Sequence, residues 1–177
     1  MTHASASRSF EVSPPAAFAW VTLVLLGGVL PLGIIGVAWL THQQMHGVSF
    51  ALIVIPCVLV ALLLLMRRRS VRLHDGMLDV RAALYRKRVA VSELDLQRAR
   101  IVDLAERTEL RPWLKSNAVS MPGFHAGHFR LRGDFGKAFF LLTQRERVLW
   151  LPLRDSKTQL LLSLERPQSL LDALAAS

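Results

Sequence analysis

The hydrophobic pattern of the chain changes character once, near residue 67. Before that point apolar residues run on: Ala16 to Leu40 holds 25 residues and Phe50 to Met66 holds 17, with no charged side chain in either stretch. At ~1.5 Å rise per residue these make helices of about 37 Å and about 26 Å, against a hydrocarbon core ~30 Å thick. The pattern predicts a two-helix transmembrane hairpin over residues 16–66, with spans at 16–40 and 50–66, and a disordered tail over residues 1–15. The first stretch is too long for the ~7–15-residue apolar core of a secretory signal, and a second span follows it. Trp20 and Trp39 are spaced for one indole at each membrane interface. Pro31 and Pro56 each disturb the carbonyl four residues earlier, at Gly27 and Leu52, and so predict a bend near the middle of each helix.

From Val71 onward the apolar residues come in short blocks bounded by turn residues, the pattern of an antiparallel β domain over residues 67–177. Val71 to His74 and Met77 to Arg81 flank Asp75-Gly76, whose residues tolerate the positive φ angles of a tight hairpin. A third strand is expected over Tyr85 to Val91, with Tyr85, Lys87 and Val89 on one face and Arg86, Arg88 and Ala90 on the other. A fourth is expected near Arg100 to Leu104. Thr108 to Gly127 reads as a long irregular loop. Beyond it, His128 to Arg132 alternates, and Ala138 to Thr143, Val148 to Leu153 and Leu160 to Leu164 complete the set. Pro152 assigns its strand to an edge or a late bulge. Pro167 suits the first turn of a closing helix whose apolar stripe is Leu170, Leu171 and Leu174.

Several of these segments carry a family likeness. Met121-Pro122-Gly123-Phe124, Gly127, the strand His128-Phe129-Arg130-Leu131, the strand Val148 to Leu153 and the closing Ser163-Leu164-Glu165-Arg166-Pro167 together resemble bacterial pleckstrin-homology-like domains attached to one or two membrane helices. The resemblance covers most of residues 71 to 175, and it departs at Asn117-Ala118, where many relatives carry Asn-Gly. It implies a membrane-anchored α+β protein: a two-helix transmembrane hairpin followed by a pleckstrin-homology-like β barrel with a C-terminal capping helix. The function it implies is a non-enzymatic binding or assembly module, with no catalytic residues to carry over.

Charge sharpens this picture. Of the 22 Lys and Arg only Arg8 precedes the apolar stretches, and the whole chain carries a formal net charge of +9. Arg67, Arg68 and Arg69 end the second span, whereas its connection to the first has no Lys or Arg, so the positive-inside rule places both termini in the cytoplasm of a bacterium, with the protein integral to the inner membrane. Arg67, Arg68, Arg69, Arg72, Arg86, Lys87 and Arg88 are expected to contact anionic lipid headgroups, each contributing about 1 kcal/mol. Arg111, Trp113, Lys115, Pro122, Gly123, Phe124, His125, Gly127 and His128 mark the Thr108–Gly127 region and its exit as a candidate ligand loop for a lipid headgroup or a membrane-protein partner. The competing reading is that Trp113 and Phe124 only cover an open end of the barrel.

Chemistry is sparse. His125 and His128 form an HxxH near Asp134 and Glu146, the basis of an alternative reading as a membrane-bound metal-dependent or lipid-modifying enzyme, but only two ligands can be named where three or four are needed. His42 and His46 lie in the short connection between the spans, without a third ligand. The single cysteine, Cys57, builds neither a disulfide framework nor a zinc pattern. Ser116, Ser120 and Ser163 lack the context that activates a nucleophile, and no phosphate loop or dinucleotide fingerprint is present. The expectation is therefore no enzyme, no cofactor, no metal and no nucleic-acid partner, with Tyr85 or Trp150 as interface residues if the chain is a subunit of a larger membrane complex.

Overall fold

The computed structural model describes residues 7–41, 48–133, 135–155 and 157–177. The first six residues of the expected tail, His42 and His46 in the connection, and Asp134 lie outside the described residues. Two helices are long and apolar enough to cross a membrane, Ala17–Thr41 and Val48–Arg67, close to the bounds read from the sequence. The first of them is not one regular α-helix. α1 (Ala17–Val24) passes into a π turn over Leu25–Val29 and then into α2 (Leu30–Thr41), with the Leu30 N–H donating to the Leu25 carbonyl five residues back. Pro31 has no N–H to offer Gly27, and a π turn just before it shifts the hydrogen bonding by one residue. The second helix, α3 (Val48–Arg67), carries Pro56 inside and continues as α-helix on both sides of it. A Cβ on Gly28 would lie 2.8 Å from Leu59 Cδ2, so the missing side chain is what lets the two helices approach. Elsewhere their surface is bare: Phe18, Ile34, Leu40, Phe50 and Ile53 are all exposed.

The β region forms two sheets rather than the closed barrel expected from the sequence. The four-stranded sheet has the order β1 (Arg8–Phe10), β2 (Arg69–His74), β3 (Met77–Ala82), β4 (Tyr85–Ala90). Asp75 and Gly76 sit at φ 51° and 66° in the β2–β3 turn, as a tight hairpin requires. β1 overturns the expectation of a disordered tail: Arg8 pairs with Leu73 and Phe10 with Val71, while Ser13 N–H donates to the Ser163 carbonyl (3.2 Å) and Glu165 N–H to the Glu11 carbonyl (3.1 Å). Residues 8–13 thus stitch one sheet to the end of the other. One phenylalanine among polar neighbours gives no alternation to read, so only the tertiary partner makes this a strand.

The second sheet runs β5 (Arg100–Val102), β9 (Val148–Pro152), β10 (Thr158–Ser163), β8 (Lys137–Leu142), β7 (Phe124–Leu131), β6 (Pro112–Met121). β10 is parallel to β8 and inserts between it and β9, a departure from the simple meander. The unbroken run Leu160–Leu162 belongs in the middle of a sheet covered on both faces, and this placement supplies that cover. The two faces make two cores. One lies between the sheets and joins Phe124, Phe139 and Leu141 to Val71, Leu78 and Val80, while the other holds Phe129, Phe140, Leu142 and Trp150 on the far face. α4 (Pro167–Ala175) buries Leu170, Ala173 and Leu174 against the first core, with Leu171 only partly covered.

The helical hairpin belongs to the same core. Ala19 and Met66 are buried in it, and Trp20, Leu23 and Leu65 pack on its margin. Trp20 is therefore a packing residue of the β domain as well as a candidate interface residue.

Candidate functional site: a basic sheet face and a basic pocket

Alternation puts Arg72, Asp79, Arg81, Arg86 and Arg88 on the outer face of the four-stranded sheet, because Val71, Leu78, Val80 and Val89 claim the inner one. Register completes the cluster: Asp79 stands opposite Arg72 on one side and Arg88 on the other, and Arg81 opposite Arg86. Arg86 grips the Asp79 carboxylate with two nitrogens, one of them at 2.8 Å, and Arg81 and Arg88 each approach it to 3.9 Å. Asp79 is only 5% exposed. The hydrogen bond from Arg86 holds its carboxyl below the usual carboxylate range, against the upward push of burial and with help from the three guanidinium charges. Of the expected membrane-contact residues, Arg67, Arg68 and Arg72 are exposed, and Arg69 turns back to donate to the Met66 carbonyl (3.1 Å). Lys87 does not join Arg86 and Arg88: one residue out of phase with them, it is half-buried on the inner side near His128. Arg81 was missed as a member of this face, although its alternation with Leu78 and Val80 places it there.

The candidate ligand loop is not a loop. Residues 112–131 form a long β6–β7 hairpin turned by Pro122-Gly123, with Gly123 at φ 74°. A Cβ on Gly123 would come within 3.0 Å of Ala19 Cβ, so the turn rests directly on the start of the first apolar helix. Trp113 lies near the start of β6 rather than at the turn. It is exposed there beside Leu114, with the Arg132 guanidinium 5.3 Å over its ring. Lys115 is exposed and Phe124 fully buried in the core. Gly127 occupies φ 112° where a Cβ would strike the Asn117 carbonyl oxygen and Tyr85 Cδ2, both at 2.7 Å, so the approach of Tyr85 on β4 to β7 requires glycine.

The two histidines part company. Three residues apart on one strand, they face opposite sides of the sheet. His128 packs edge-on against Tyr85 and Phe139, towards the first core, and burial lowers its pKa, with Lys87 adding to the effect. His125 points the other way, where its Nδ1 meets Ser120 Oγ at 2.8 Å and its ring meets Phe129 edge-on. Burial lowers its pKa first, and the charges of Arg145 and Lys115 add to that. The geometry thus removes the shared-metal arrangement, and among the described residues no group of three potential metal ligands comes together.

His125 instead lines a cavity of about 230 Å³ with Arg111, Gln144 and Arg145, walled by Leu104, Leu142 and Gly123. Arg111 is fixed there by donating to the Leu104 and Ala105 carbonyls, the latter at 2.9 Å. Arg145 and Gln144 were not singled out in the sequence, and Ser120 was weighed only as a nucleophile, because they meet only through the β7–β8 register, which sets His125 opposite Leu142. The two residues expected at a subunit interface are used internally. Trp150 is buried, donates to Gln159 Oε1 (2.6 Å) and carries Arg100 over its ring, and Tyr85 packs against Gly127.

Compared with known proteins, the chain matches no family model, and no curated protein and no solved structure matches it.

Proposed function

We propose that the chain is a non-enzymatic, membrane-anchored binding or assembly module, which presents its β domain at the cytoplasmic face of a bacterial inner membrane. The observation that carries this reading is that both ends of the apolar hairpin are built into one β domain: Ala19 lies under the Pro122-Gly123 turn, Met66 is fully buried, and β1 pairs with β2 across the whole hairpin. Two crossings return the chain to the side it left, which is what β1–β2 pairing demands of a spanning hairpin. The bare apolar surface of both helices supports their immersion, since exposed patches of that extent are rare on soluble proteins. The Arg67–Arg69 triplet and the arginines beyond it favour the cytoplasmic side for that domain. A pleckstrin-homology-like relationship is supported by packed sheets closed by a C-terminal helix and opposed by the parallel β8–β10 pair.

Cysteine labelling of the full chain tests the topology. In a Cys57→Ser background, Ser7→Cys and Ser177→Cys should react with a membrane-impermeant maleimide in inverted vesicles and stay unlabelled in intact right-side-out cells. Labelling of either position from outside would sink the proposed orientation.

A further inference from the structure

We propose that the cavity between Arg111, His125 and Arg145 is a binding site for a phosphate group, phosphomonoester or phosphodiester, delivered beside the bilayer. Three features argue for an anion there. Among the described residues, two arginines, a histidine and the Gln144 amide line the space, and no carboxylate does. Arg145 makes no ion pair among the described residues, unlike Arg86, Arg81 and Arg88, which share Asp79. The site is also organised before any ligand arrives: Arg111 is held by two carbonyls, and Ser120 takes the Nδ1 of His125, leaving Nε2 without a partner among the described residues. Preset donors of this kind suit oxyanions, because the cost of ordering them has already been met in the fold.

The location identifies where such an anion comes from. Gly123 lines the cavity and at the same time touches Ala19, in the first turn of α1. The apolar helix Ala17–Thr41 is 25 residues long, about 37 Å, so its first turn extends past a hydrocarbon core of ~30 Å into the headgroup layer. Leu104 and Leu142 give the cavity apolar walls that fit the glycerol end of a lipid better than a fully hydrated ion. The lipid source rests on the membrane placement proposed above, whereas the phosphate chemistry rests on the cavity alone.

The test uses the full chain with selectively ¹⁵N-labelled histidine, the His125 resonance being assigned from His125→Gln. One arm titrates inorganic phosphate into nanodiscs of phosphatidylcholine, and a second compares them with nanodiscs that also contain phosphatidic acid. A saturable shift of the His125 signal is expected, weakened about tenfold by Arg145→Gln, the order of one lost charge-assisted hydrogen bond. Lys137→Gln, an exposed cation outside the cavity lining, should leave the shift unchanged. A response in the phosphatidic acid arm alone assigns a lipid headgroup, and a response to inorganic phosphate assigns a site open to soluble phosphates. No shift in either arm, or an equal response in Arg145→Gln, overturns the proposal, even if the labelling experiment confirms the membrane orientation.

Discussion

The two sheets bury their strands in different ways. In the four-stranded sheet only one face is dry: Leu78, Val80 and Ala82 point to the core, while Asp79 and Arg81 on the same strand point away from it. In the six-stranded sheet neighbouring residues of β8 serve two different cores, Phe139 the inner and Phe140 the outer, and both are fully buried. Arg81, Arg86 and Arg88 on the first sheet share the Asp79 carboxylate, whereas Arg145 beside the second faces a cavity whose described lining carries no acid. Charge alone therefore does not mark a site. What marks it is charge that the fold leaves unanswered.

Truncation is the strongest way to break this contrast. Phe139→Ala and Phe140→Ala should each destabilise the full chain by about 3–5 kcal/mol, since each empties a different packed core. Denaturant unfolding in detergent measures both, and a loss below about 1 kcal/mol for Phe140→Ala would mean that the outer cluster is not a core. Next comes Gly127→Ala, which forces a Cβ onto backbone atoms at a positive φ and should cost about 3 kcal/mol in the same assay. Asp79→Asn should cost about 1 kcal/mol, because it removes the charge of a buried carboxylate paired with solvent-exposed Arg86 and leaves three arginines in mutual repulsion. Arg81→Ala, on the exposed side of that cluster, should stay within about 0.5 kcal/mol. If the two substitutions cost the same, the outer face is not organised around Asp79.

The smallest expected effect is the pH response. His125 and His128 are both held below the ordinary histidine value of 6.5, by burial first and neighbouring cations second. The unfolded chain then binds protons more readily than the folded one as pH falls. Their stabilising contribution is whole above pH 6.5 and shrinks below it, down to the depressed folded values. Thermal melts between neutral and mildly acidic pH should show that loss, and His128→Gln should reduce it without altering the Asp79 response, which belongs at more acid pH below the ordinary carboxylate value of 3.8.

How much of this was legible follows from the same burial contrast. The β2–β3–β4 region was readable because alternation and an Asp-Gly turn both follow from one wet and one dry face. β6 was not, since residues 113–117 are exposed on both sides along a bulged edge and leave no period to detect, so a ten-residue strand passed for a loop. The continuous apolar runs of β8 and β10 announced strands but carried no information about order, and their parallel pairing is decided by which strand needs cover on both faces. The Arg67–Arg69 end of the second apolar helix and the individual members of the HxxH were visible. The cavity was not, because Arg111, His125 and Arg145 converge across three separate segments.

The pairing of β1 with β2 also constrains how the β domain is completed. Arg8–Phe10 is separated from its partner strand by both apolar helices, and the bridge from Val12 to Leu164 also spans the rest of the β region. The N-terminal segment therefore cannot complete its contacts without strands that lie beyond both apolar helices. Until both helices are seated, Met66 and Ala19 are missing from the domain's interior and the sheet edge at β2 stands open. Completion of the β domain is thereby coupled to the packing of the two apolar helices, and an N-terminal fusion that pulls residues 8–13 away would leave the domain unfinished.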